Sequence, residues 1–208
     1  PMKTLKVDVA IIGAGTAGLT ARRAAIKAGA RTVMIEDGPY GTMCARVGCM
    51  PSKLLIAAAD AAYAANHAAP FGVHVDGVRV NGKEVMQRVR SERDRFVGFV
   101  VRDVEDMPEE DKLRGAARFL SDTVLDVGGH TRVEARSVVI ATGTSPNIPE
   151  AYLPLGDRAI VNDDLFDWED LPESVLVVGA GVIGLELGQA LSRLGVRTRI
   201  LQRSSHVG

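Results

Sequence analysis

The sequence of 208 residues is nearly neutral, with 25 Lys and Arg residues against 26 Asp and Glu residues. This balance argues against a nucleic-acid-binding or membrane-surface protein, because both classes normally carry an excess of basic residues. The hydrophobic content of 46% is typical of a globular chain, and no run approaches the ~18 apolar residues of a transmembrane helix.

The N-terminal segment predicts no secretory signal, because the chain runs into a strand-like stretch without an apolar signal-peptide core. Pro1 before Met2 resembles the remnant of an expression tag. The two cysteines lie close together, which favours a redox or metal role in a cytoplasmic protein over a secreted disulfide scaffold.

The first predicted structure is a βαβ unit. A β-branched apolar run predicts a buried parallel strand, and a glycine-rich turn, a helix and a second strand follow it. These elements are residues 7–12, 13–18, 19–28 and 32–35, with Gly29 ending the helix and Glu36 ending the second strand.

The middle of the chain predicts two helices, an antiparallel meander and one further apolar strand. Residues 38–50 hold both cysteines and predict an irregular loop or a distorted helix start. The two predicted helices are residues 51–69 and 82–104. The meander strands are residues 114–121, 123–127 and 130–134, with a turn at Gly128-Gly129. The last strand is residues 137–141, and a linker follows at residues 146–172.

An internal repeat links the two ends of the chain. A shift of 166 positions (179 − 13) overlays the first βαβ unit on a later segment with the same order of strand, glycine-rich turn, helix and strand. The matching turn glycines are Gly13, Gly15 and Gly18 in the first copy and Gly179, Gly181 and Gly184 in the second. The repeat therefore predicts two dinucleotide-binding units.

Each glycine has a physical task in such a turn. The first allows a sharp bend, the second lets the backbone approach a pyrophosphate, and the third lets helix and strand pack closely. The helix N-terminus then offers unpaired N–H groups to the phosphates. The alternative is a glycine-rich turn that binds no ligand, but each copy lies between a predicted strand and a predicted helix, as the motif requires.

The acidic residue after the first turn has no counterpart after the second. Glu36 follows Gly18 by 18 positions, the spacing at which a carboxylate binds a ribose hydroxyl, although a solvated glutamate at a strand end is the alternative. The same offset from Gly184 leads to Gln202, followed by Arg203. Because a guanidinium pairs well with a 2′-phosphate, this pair favours NADP(H), unless Arg203 is simply solvated.

The cysteine pair, Cys44 and Cys49, has three interpretations. A zinc site needs about two more ligands, and the histidines at positions 67, 74, 130 and 206 lack ligand-like spacing. Two buried inert thiols are the second interpretation. The third is a redox disulfide beside a helix start.

The segment around the cysteines resembles the redox-active signature of the class I pyridine nucleotide–disulfide oxidoreductases. These flavoenzymes include dihydrolipoamide dehydrogenase, mercuric reductase and glutathione reductase. The segment reads Gly41-Thr42-Met43-Cys44-Ala45-Arg46-Val47-Gly48-Cys49-Met50-Pro51-Ser52-Lys53. With both glycine turns and Ala141-Thr142-Gly143 in family order, the resemblance covers nearly the whole chain.

The resemblance implies an α/β fold with two Rossmann-like domains. Residues 1–150 are expected to form an FAD-binding domain with an antiparallel meander, lacking its C-terminal segment. Residues 151–208 are expected to form a linker and an incomplete NAD(P)-binding domain. The family's chains are more than twice as long, and a His–Glu pair in their interface domain acts as the general base. We therefore expect this chain alone to be inactive.

The resemblance also implies residue roles. Cys44 would be the interchange thiol and Cys49 the charge-transfer thiol, while Lys53 would pair near the flavin with Glu186. The residues expected at FAD are Gly13, Gly15, Gly18, Glu36, Lys53, Ala141, Thr142 and Gly143, and those expected at NAD or NADP are Gly179, Gly181, Gly184, Gln202 and Arg203.

Several features imply the dihydrolipoamide branch of the family. The Pro51-Ser52-Lys53 run and Val182, where glutathione reductases carry a gating tyrosine, both resemble dihydrolipoamide dehydrogenase. Thr42, Met43 and Arg46 depart from the usual Gly-Gly-Thr-Cys and Asn. The implied reaction is oxidation of dihydrolipoamide by NAD(P)+; the alternatives are mercuric or other disulfide reduction, or a non-catalytic flavin-binding fragment.

The resemblance also implies the partners of the protein. They are a dithiol or disulfide substrate, or a lipoyl domain, with a homodimer for the full-length form. Neither a nucleic acid nor a membrane is expected as a partner, and no metal site is expected.

Overall fold

The computed structural model describes residues 2–205 and residue 207. Pro1, His206 and Gly208 lie outside the described residues, and with them the tag-like first residue and one histidine of the zinc alternative. The chain divides into two compact units. The first unit combines Pro1–Cys44 with Phe96–Ser145, and the second combines Ala45–Arg95 with Pro146–Gly208.

A six-stranded mixed sheet forms the frame of the first unit. Its strands are β1 (Lys3–Ile12), β2 (Thr32–Glu36), β3 (Lys112–Arg114), β4 (Ala117–Ser121), β5 (Val124–Val127) and β6 (Thr131–Ile140), in the order β3-β2-β1-β6-β5-β4. β1 pairs in parallel with β2 and β6, and β2 pairs in parallel with β3, whereas β4, β5 and β6 pair antiparallel. Helix α1 (Thr16–Lys27) connects β1 to β2.

Burial explains the apolar runs of the parallel strands. Val33, Met34 and Ile35 on β2 are consecutive, and each is at most 1% exposed. A strand covered on both faces needs apolar residues at every position rather than at alternate ones. The described chain thus has the Rossmann-like α/β fold that was predicted.

The structure corrects the predicted end of the meander. The separate strands expected at 130–134 and 137–141 are one strand, β6. It pairs with β1 from Lys3↔Thr131 to Ile12↔Ile140, in a register that skips the position of Asp8 and Arg136. The exposed Arg136 interrupts the apolar pattern, which is why the pattern predicted a break, although the strand itself continues through this residue.

The structure also divides the predicted strand 114–121. β3 ends at Arg114 and β4 begins at Ala117, and these two strands lie at opposite edges of the sheet. Gly115 makes the turn between them with φ of +141°, and its N–H donates to the carbonyl of Glu36 at 3.0 Å. A glycine adopts this positive φ without the steric penalty of a Cβ atom.

The second unit packs helices on a two-stranded parallel sheet. Its elements are α3 (Cys49–Asn66), the first part of α4 (Gly82–Glu105), α5 (Val182–Arg193), β7 (Ser174–Val178) and β8 (Arg197–Leu201), while α2 (Met43–Val47) and α4 cross the unit boundary. α3 begins and ends earlier than predicted. Asn81 sets the start of α4, because its Oδ1 accepts from the Glu84 N–H and its Nδ2 donates to Glu84 Oε1.

The predicted linker is part of the second unit's core. Residues 146–172 contain two 3₁₀ helices, Glu150–Arg158 and Asp164–Asp167, rather than a plain spacer. Leu165 and Phe166 are buried against residues of α3, α4 and α5. Arg93 of α4 donates to Asp167 at 2.7 Å and thereby fixes the segment further.

The compact units do not follow the predicted domain ranges. Residues 45–95 group with residues 146–208, although they precede the predicted boundary at residue 150. The ranges 1–150 and 151–208 were assigned by the nucleotide that each part is expected to bind, and this assignment stays a prediction. Within the described part of the chain, no helix combines the length and apolarity needed to cross a bilayer.

Truncation of Phe166 tests whether the 146–172 segment contributes to the core. Phe166 is 1% exposed, so we expect Phe166→Ala to lower the free energy of unfolding by about 3–5 kcal/mol, measured by urea denaturation. Phe71 is 86% exposed in the same unit, and Phe71→Ala should change it by less than about 0.5 kcal/mol. Equal effects of the two substitutions would show that the segment is not packed in solution.

Candidate functional site

The first glycine turn leaves space only where a ligand would need it. A Cβ atom at Gly13 would collide with the carbonyl oxygen of Ala141, and one at Gly18 would collide with that of Gly13. At Gly15, by contrast, no described atom beyond its chain neighbours lies within 4 Å of the Cβ position. Since α1 begins at Thr16, the open side of Gly15 adjoins the N–H groups of the helix start, and such groups are suited to a phosphate. The residues present therefore fit a pyrophosphate.

Glu36 is bound to this turn by both of its carboxylate oxygens. Oε2 accepts from the Ala14 N–H at 2.8 Å, and Oε1 accepts from the Gly38 N–H at 2.8 Å. A carboxylate has about four lone-pair positions, so acceptor capacity remains for a ribose hydroxyl. The structure holds the side chain in place at the carboxyl end of β2.

The Ala141-Thr142-Gly143 run reaches the same end of the sheet from β6. The Ala141 N–H donates to the carbonyl of Ile12 at 2.8 Å, which places the run beside the first turn. Gly143 has φ of +69°, a conformation that favours glycine. Three segments far apart in sequence, at Gly13, Glu36 and Ala141, thus meet at one edge of the first unit.

The second turn repeats the hydrogen bonding of the first. A Cβ atom at Gly184 would collide with the carbonyl of Gly179, and α5 begins at Val182, just after Gly181. Gln202 Oε1 accepts from the Ala180 N–H at 2.9 Å, in the position that Glu36 has toward Ala14. The side-chain Nε2 of Gln202 donates to Ser204 Oγ at 2.7 Å. An amide therefore performs here the structural task that a carboxylate performs in the first unit.

The cysteines lie on two successive helices. Cys44 belongs to α2 and is half-buried, whereas Cys49 is the first residue of α3 and is exposed; both are thiols. A thiol in the first turn of a long helix lies near the positive end of the helix dipole. Among the described residues, no group of three or more His, Cys, Asp and Glu side chains could hold a metal ion.

Thr42, two positions before Cys44, has an unusual backbone conformation. Its φ of +57° lies in the left-handed region, where a β-branched residue is disfavoured by about 1–2 kcal/mol. The resemblance places a glycine at this position. Threonine in place of this glycine therefore introduces backbone strain directly before α2, the helix that carries Cys44.

Arg46, another departure from the family signature, lies near a carboxyl group of the second unit. Burial raises the pKa of Asp163, the neighbouring Asp164 raises it further, and the Arg46 guanidinium lowers it in part. The positive charge of Arg46 is thus partly balanced by Asp163.

Lys53 and Glu186 form an ion pair within the second unit. Lys53 Nζ lies 3.0 Å from Glu186 Oε1, and the side chains are 61% and 40% exposed. Lys53 follows Cys49 by one helical turn, and Glu186 lies on the helix that leaves the second glycine turn. The ion pair therefore joins α3, which begins at Cys49, to α5.

Two residues that the sequence analysis did not select lie beside Glu36. Arg114 pairs with Glu36 in the β2–β3 register, and its guanidinium carbon lies 4.6 Å from the centroid of the Tyr40 ring. Arg114 was missed because β3 has three residues and was merged with β4. A glycine at 115 was the available signal that a strand ends there.

A family model described as "Pyridine nucleotide-disulphide oxidoreductase" matches residues 7–208. The chain belongs to this family. This agrees with the resemblance found at the cysteine signature. It also accounts for the repeated nucleotide turn, because a pyridine nucleotide–disulphide oxidoreductase needs a site for its nicotinamide nucleotide.

The relatives carry several names. The chain is 31% identical to dihydrolipoyl dehydrogenase of Chlamydia pneumoniae over 98% of this chain and 44% of that protein. It is 34% identical to mercuric reductase of Streptomyces lividans over 95% of this chain and 43% of that protein. The Cu(II) complex of the HOCl-induced flavoprotein disulfide reductase RclA from Escherichia coli matches with a TM-score of 0.76 and 26% identity, covering 96% of this chain and 42% of that one. The chain spans less than half the length of these relatives.

The predicted site residues fall into two groups. The first unit holds the Gly13 turn, Glu36 and residues 141–143, and the second holds Lys53, Glu186, the Gly179 turn and Gln202. Arg203 is exposed after β8. Their roles toward FAD, nicotinamide nucleotide and substrate stay predictions.

Substitution of Gly15 tests the first turn. Gly15 has φ of −82°, which alanine adopts freely, and its Cβ position is open, so Gly15→Ala should leave the free energy of unfolding within about 0.5 kcal/mol. The methyl group would occupy the space of the pyrophosphate, so we expect FAD affinity, measured by flavin fluorescence titration, to fall at least ~10-fold. Gly181→Ala is the matched control in the second turn and should retain FAD affinity. Unchanged FAD affinity in Gly15→Ala would contradict this placement of the pyrophosphate.

Proposed function

We propose that the protein is an FAD-dependent dithiol–disulfide oxidoreductase that uses a nicotinamide nucleotide, with dihydrolipoamide as its substrate. The observation that carries the proposal is the Lys53–Glu186 ion pair, which joins the helix begun by Cys49 to the helix that leaves the second nucleotide turn. The ion pair therefore connects the helix of a redox-active thiol to the helix of the proposed nicotinamide-nucleotide site, the two ends of the proposed electron transfer. The name of the Chlamydia relative supports the choice of substrate.

The chemistry of the chain's own residues is thiol exchange. A substrate thiolate attacks Sγ of Cys44 in the Cys44–Cys49 disulfide, which forms a mixed disulfide and releases Cys49 as a thiolate. The second substrate thiolate then attacks the substrate sulfur of the mixed disulfide, which releases the cyclic disulfide product and Cys44 as a thiolate. The substrate's two thiol protons pass to solvent when its thiolates form, and the two electrons removed from the substrate reside on the two cysteine thiolates.

FAD would supply the redox group that passes this electron pair on to NAD(P)+. The Gly13 turn and Glu36 would hold its pyrophosphate and a ribose, and residues 141–143 would border it. Lys53 would place a positive charge beside the flavin, and its ion pair with Glu186 fixes the direction of the amine. The Gly179 turn would bind the nicotinamide nucleotide.

One observation favours a second candidate function, reduction of Hg(II). The identity to the Streptomyces mercuric reductase is 34%, and Met43 provides a soft sulfur ligand directly before Cys44. The same thiol pair would bind the metal as substrate. NADPH oxidation that requires Hg(II), with no turnover of dihydrolipoamide, would favour this candidate.

The interchange thiol is tested in the protein as its gene encodes it. Cys44→Ser should remove dihydrolipoamide oxidation, measured as NAD(P)H formation, because no disulfide remains for the substrate thiolate to attack. FAD binding should persist, since Cys44 is not part of the glycine turn. Cys49→Ser is the matched variant: it should also lose turnover, yet its Cys44 thiolate should attack the disulfide of lipoamide, the oxidised product, and the resulting mixed disulfide should be detected by mass spectrometry. Full dihydrolipoamide activity of Cys44→Ser would overturn the proposal.

The coenzyme choice is tested at Gln202. We propose that the site prefers NADP(H), because Gln202 and the exposed Arg203 stand where an acidic residue would repel a 2′-phosphate. Gln202→Glu keeps the oxygen that accepts from Ala180 and adds a negative charge, so kcat/KM should shift toward NADH by about ten-fold or more. Arg197→Gln, an exposed residue paired with Glu173, is the control and should leave the ratio unchanged. An unchanged ratio in Gln202→Glu would refute the assignment.

A further inference from the structure

The carboxyl ends of four neighbouring strands set the order in which a dinucleotide would lie on the first unit. β6, β1, β2 and β3 are parallel neighbours, and Ala141, Gly13, Glu36 and Arg114 stand at their ends in that order. The inference drawn here rests on the proposed FAD site, with pyrophosphate at β1 and ribose at β2. Since adjacent strands are about 4.8 Å apart, the group beyond the ribose reaches the end of β3. In FAD that group is the adenine base.

The residue at the end of β3 is held in a fixed plane. The guanidinium carbon of Arg114 lies 4.6 Å from the centroid of the Tyr40 ring. Its Nη1 donates to the carbonyl of Gly38 at 2.6 Å, and the Gly38 N–H donates to Glu36 Oε1 at 2.8 Å. The guanidinium is therefore tied to the same loop that fixes the ribose carboxylate. Arg114 is also exposed, so its charge is accessible to a ligand.

We propose that the adenine base of FAD stacks on the Arg114 guanidinium, which Tyr40 supports from the other side. A guanidinium is planar, delocalised and weakly hydrated, so it stacks on flat rings more favourably than an ammonium group does. Nucleobases stack on arginine guanidinium groups in the same way in protein–nucleic acid complexes. Tyr40 reduces the conformational freedom that Arg114 would otherwise lose on binding, which makes the stack more favourable.

A structural role for Arg114 predicts a different result. If the guanidinium only holds the Gly38 carbonyl, its loss would loosen Glu36 and weaken every ligand that carries a ribose and a diphosphate. A stacking role affects the base itself. ADP and UDP have the same ribose and diphosphate but bases of different stacking area, so the ratio of their affinities separates the two roles.

The experiment titrates the flavin-free protein, as its gene encodes it, with FAD, ADP and UDP by calorimetry. In Arg114→Ala we expect FAD affinity and the ADP-to-UDP affinity ratio each to fall about 3- to 30-fold, the range of a cation–π contact. Arg114→Lys keeps the charge and the aliphatic stem but lacks the plane, so it should show a similar loss. Arg118→Ala removes an exposed arginine from β4 of the same unit and should change neither quantity.

Each outcome decides the proposal. An equal loss of ADP and UDP affinity in Arg114→Ala would overturn stacking and leave the flavin site intact. Wild-type affinity in Arg114→Lys would overturn it as well, because charge alone would then suffice. A wild-type chain that binds neither FAD nor ADP would refute the proposed flavin function itself. If Arg114→Ala is unfolded at the assay temperature, as shown by circular dichroism, the result for Arg114→Lys decides.

Discussion

Both glycine turns depend on a contact that has no room for a side chain. At Gly18 and again at Gly184, a Cβ atom would lie only 1.9 and 2.1 Å, respectively, from the carbonyl oxygen of the glycine five residues earlier. Each helix can therefore approach the end of its strand, which brings the helix N–H groups and the strand's carboxyl end to one point. A methyl group would move the helix away, and the acceptor side chains that follow each second strand would lose their partners. The site residues of both units are placed relative to these two contacts.

The acceptor that closes each turn shows which property the fold requires. Glu36 reaches Ala14 and Gln202 reaches Ala180, each across 22 positions, at 2.8 and 2.9 Å. The hydrogen bond needs only an oxygen acceptor, so a carboxylate and an amide serve the backbone equally well. The charge of that side chain is then free to differ between the units. Coenzyme preference can accordingly change at this position without a change of fold.

The parts of the structure that the sequence predicted are those in which a local constraint dictates the residue type. A glycine-rich turn between a β-branched strand and a helix is a local pattern, so the sequence predicted both turns and the spacing from each turn to Glu36 or Gln202. β3 has three residues and owes its place to pairing with β2, which no local pattern encodes. Phe166 looked like a linker residue because its burial depends on α3, α4 and α5, all distant in sequence. Arg114 was missed for the same reason, since its neighbours Tyr40 and Glu36 come from another part of the chain.

The Lys53–Glu186 pair owes its geometry to its surroundings rather than to its own energy. Exposed ion pairs contribute about 0–1 kcal/mol to stability, and these side chains are 61% and 40% exposed. The helices that carry them are held together by buried apolar residues such as Leu55 on α3 and Leu187 on α5. That packing sets the distance between the two charged groups and would persist without them. Because the fold does not require the ion pair, the direction in which it holds the Lys53 amine, one turn from Cys49, is available to the chemistry of the site.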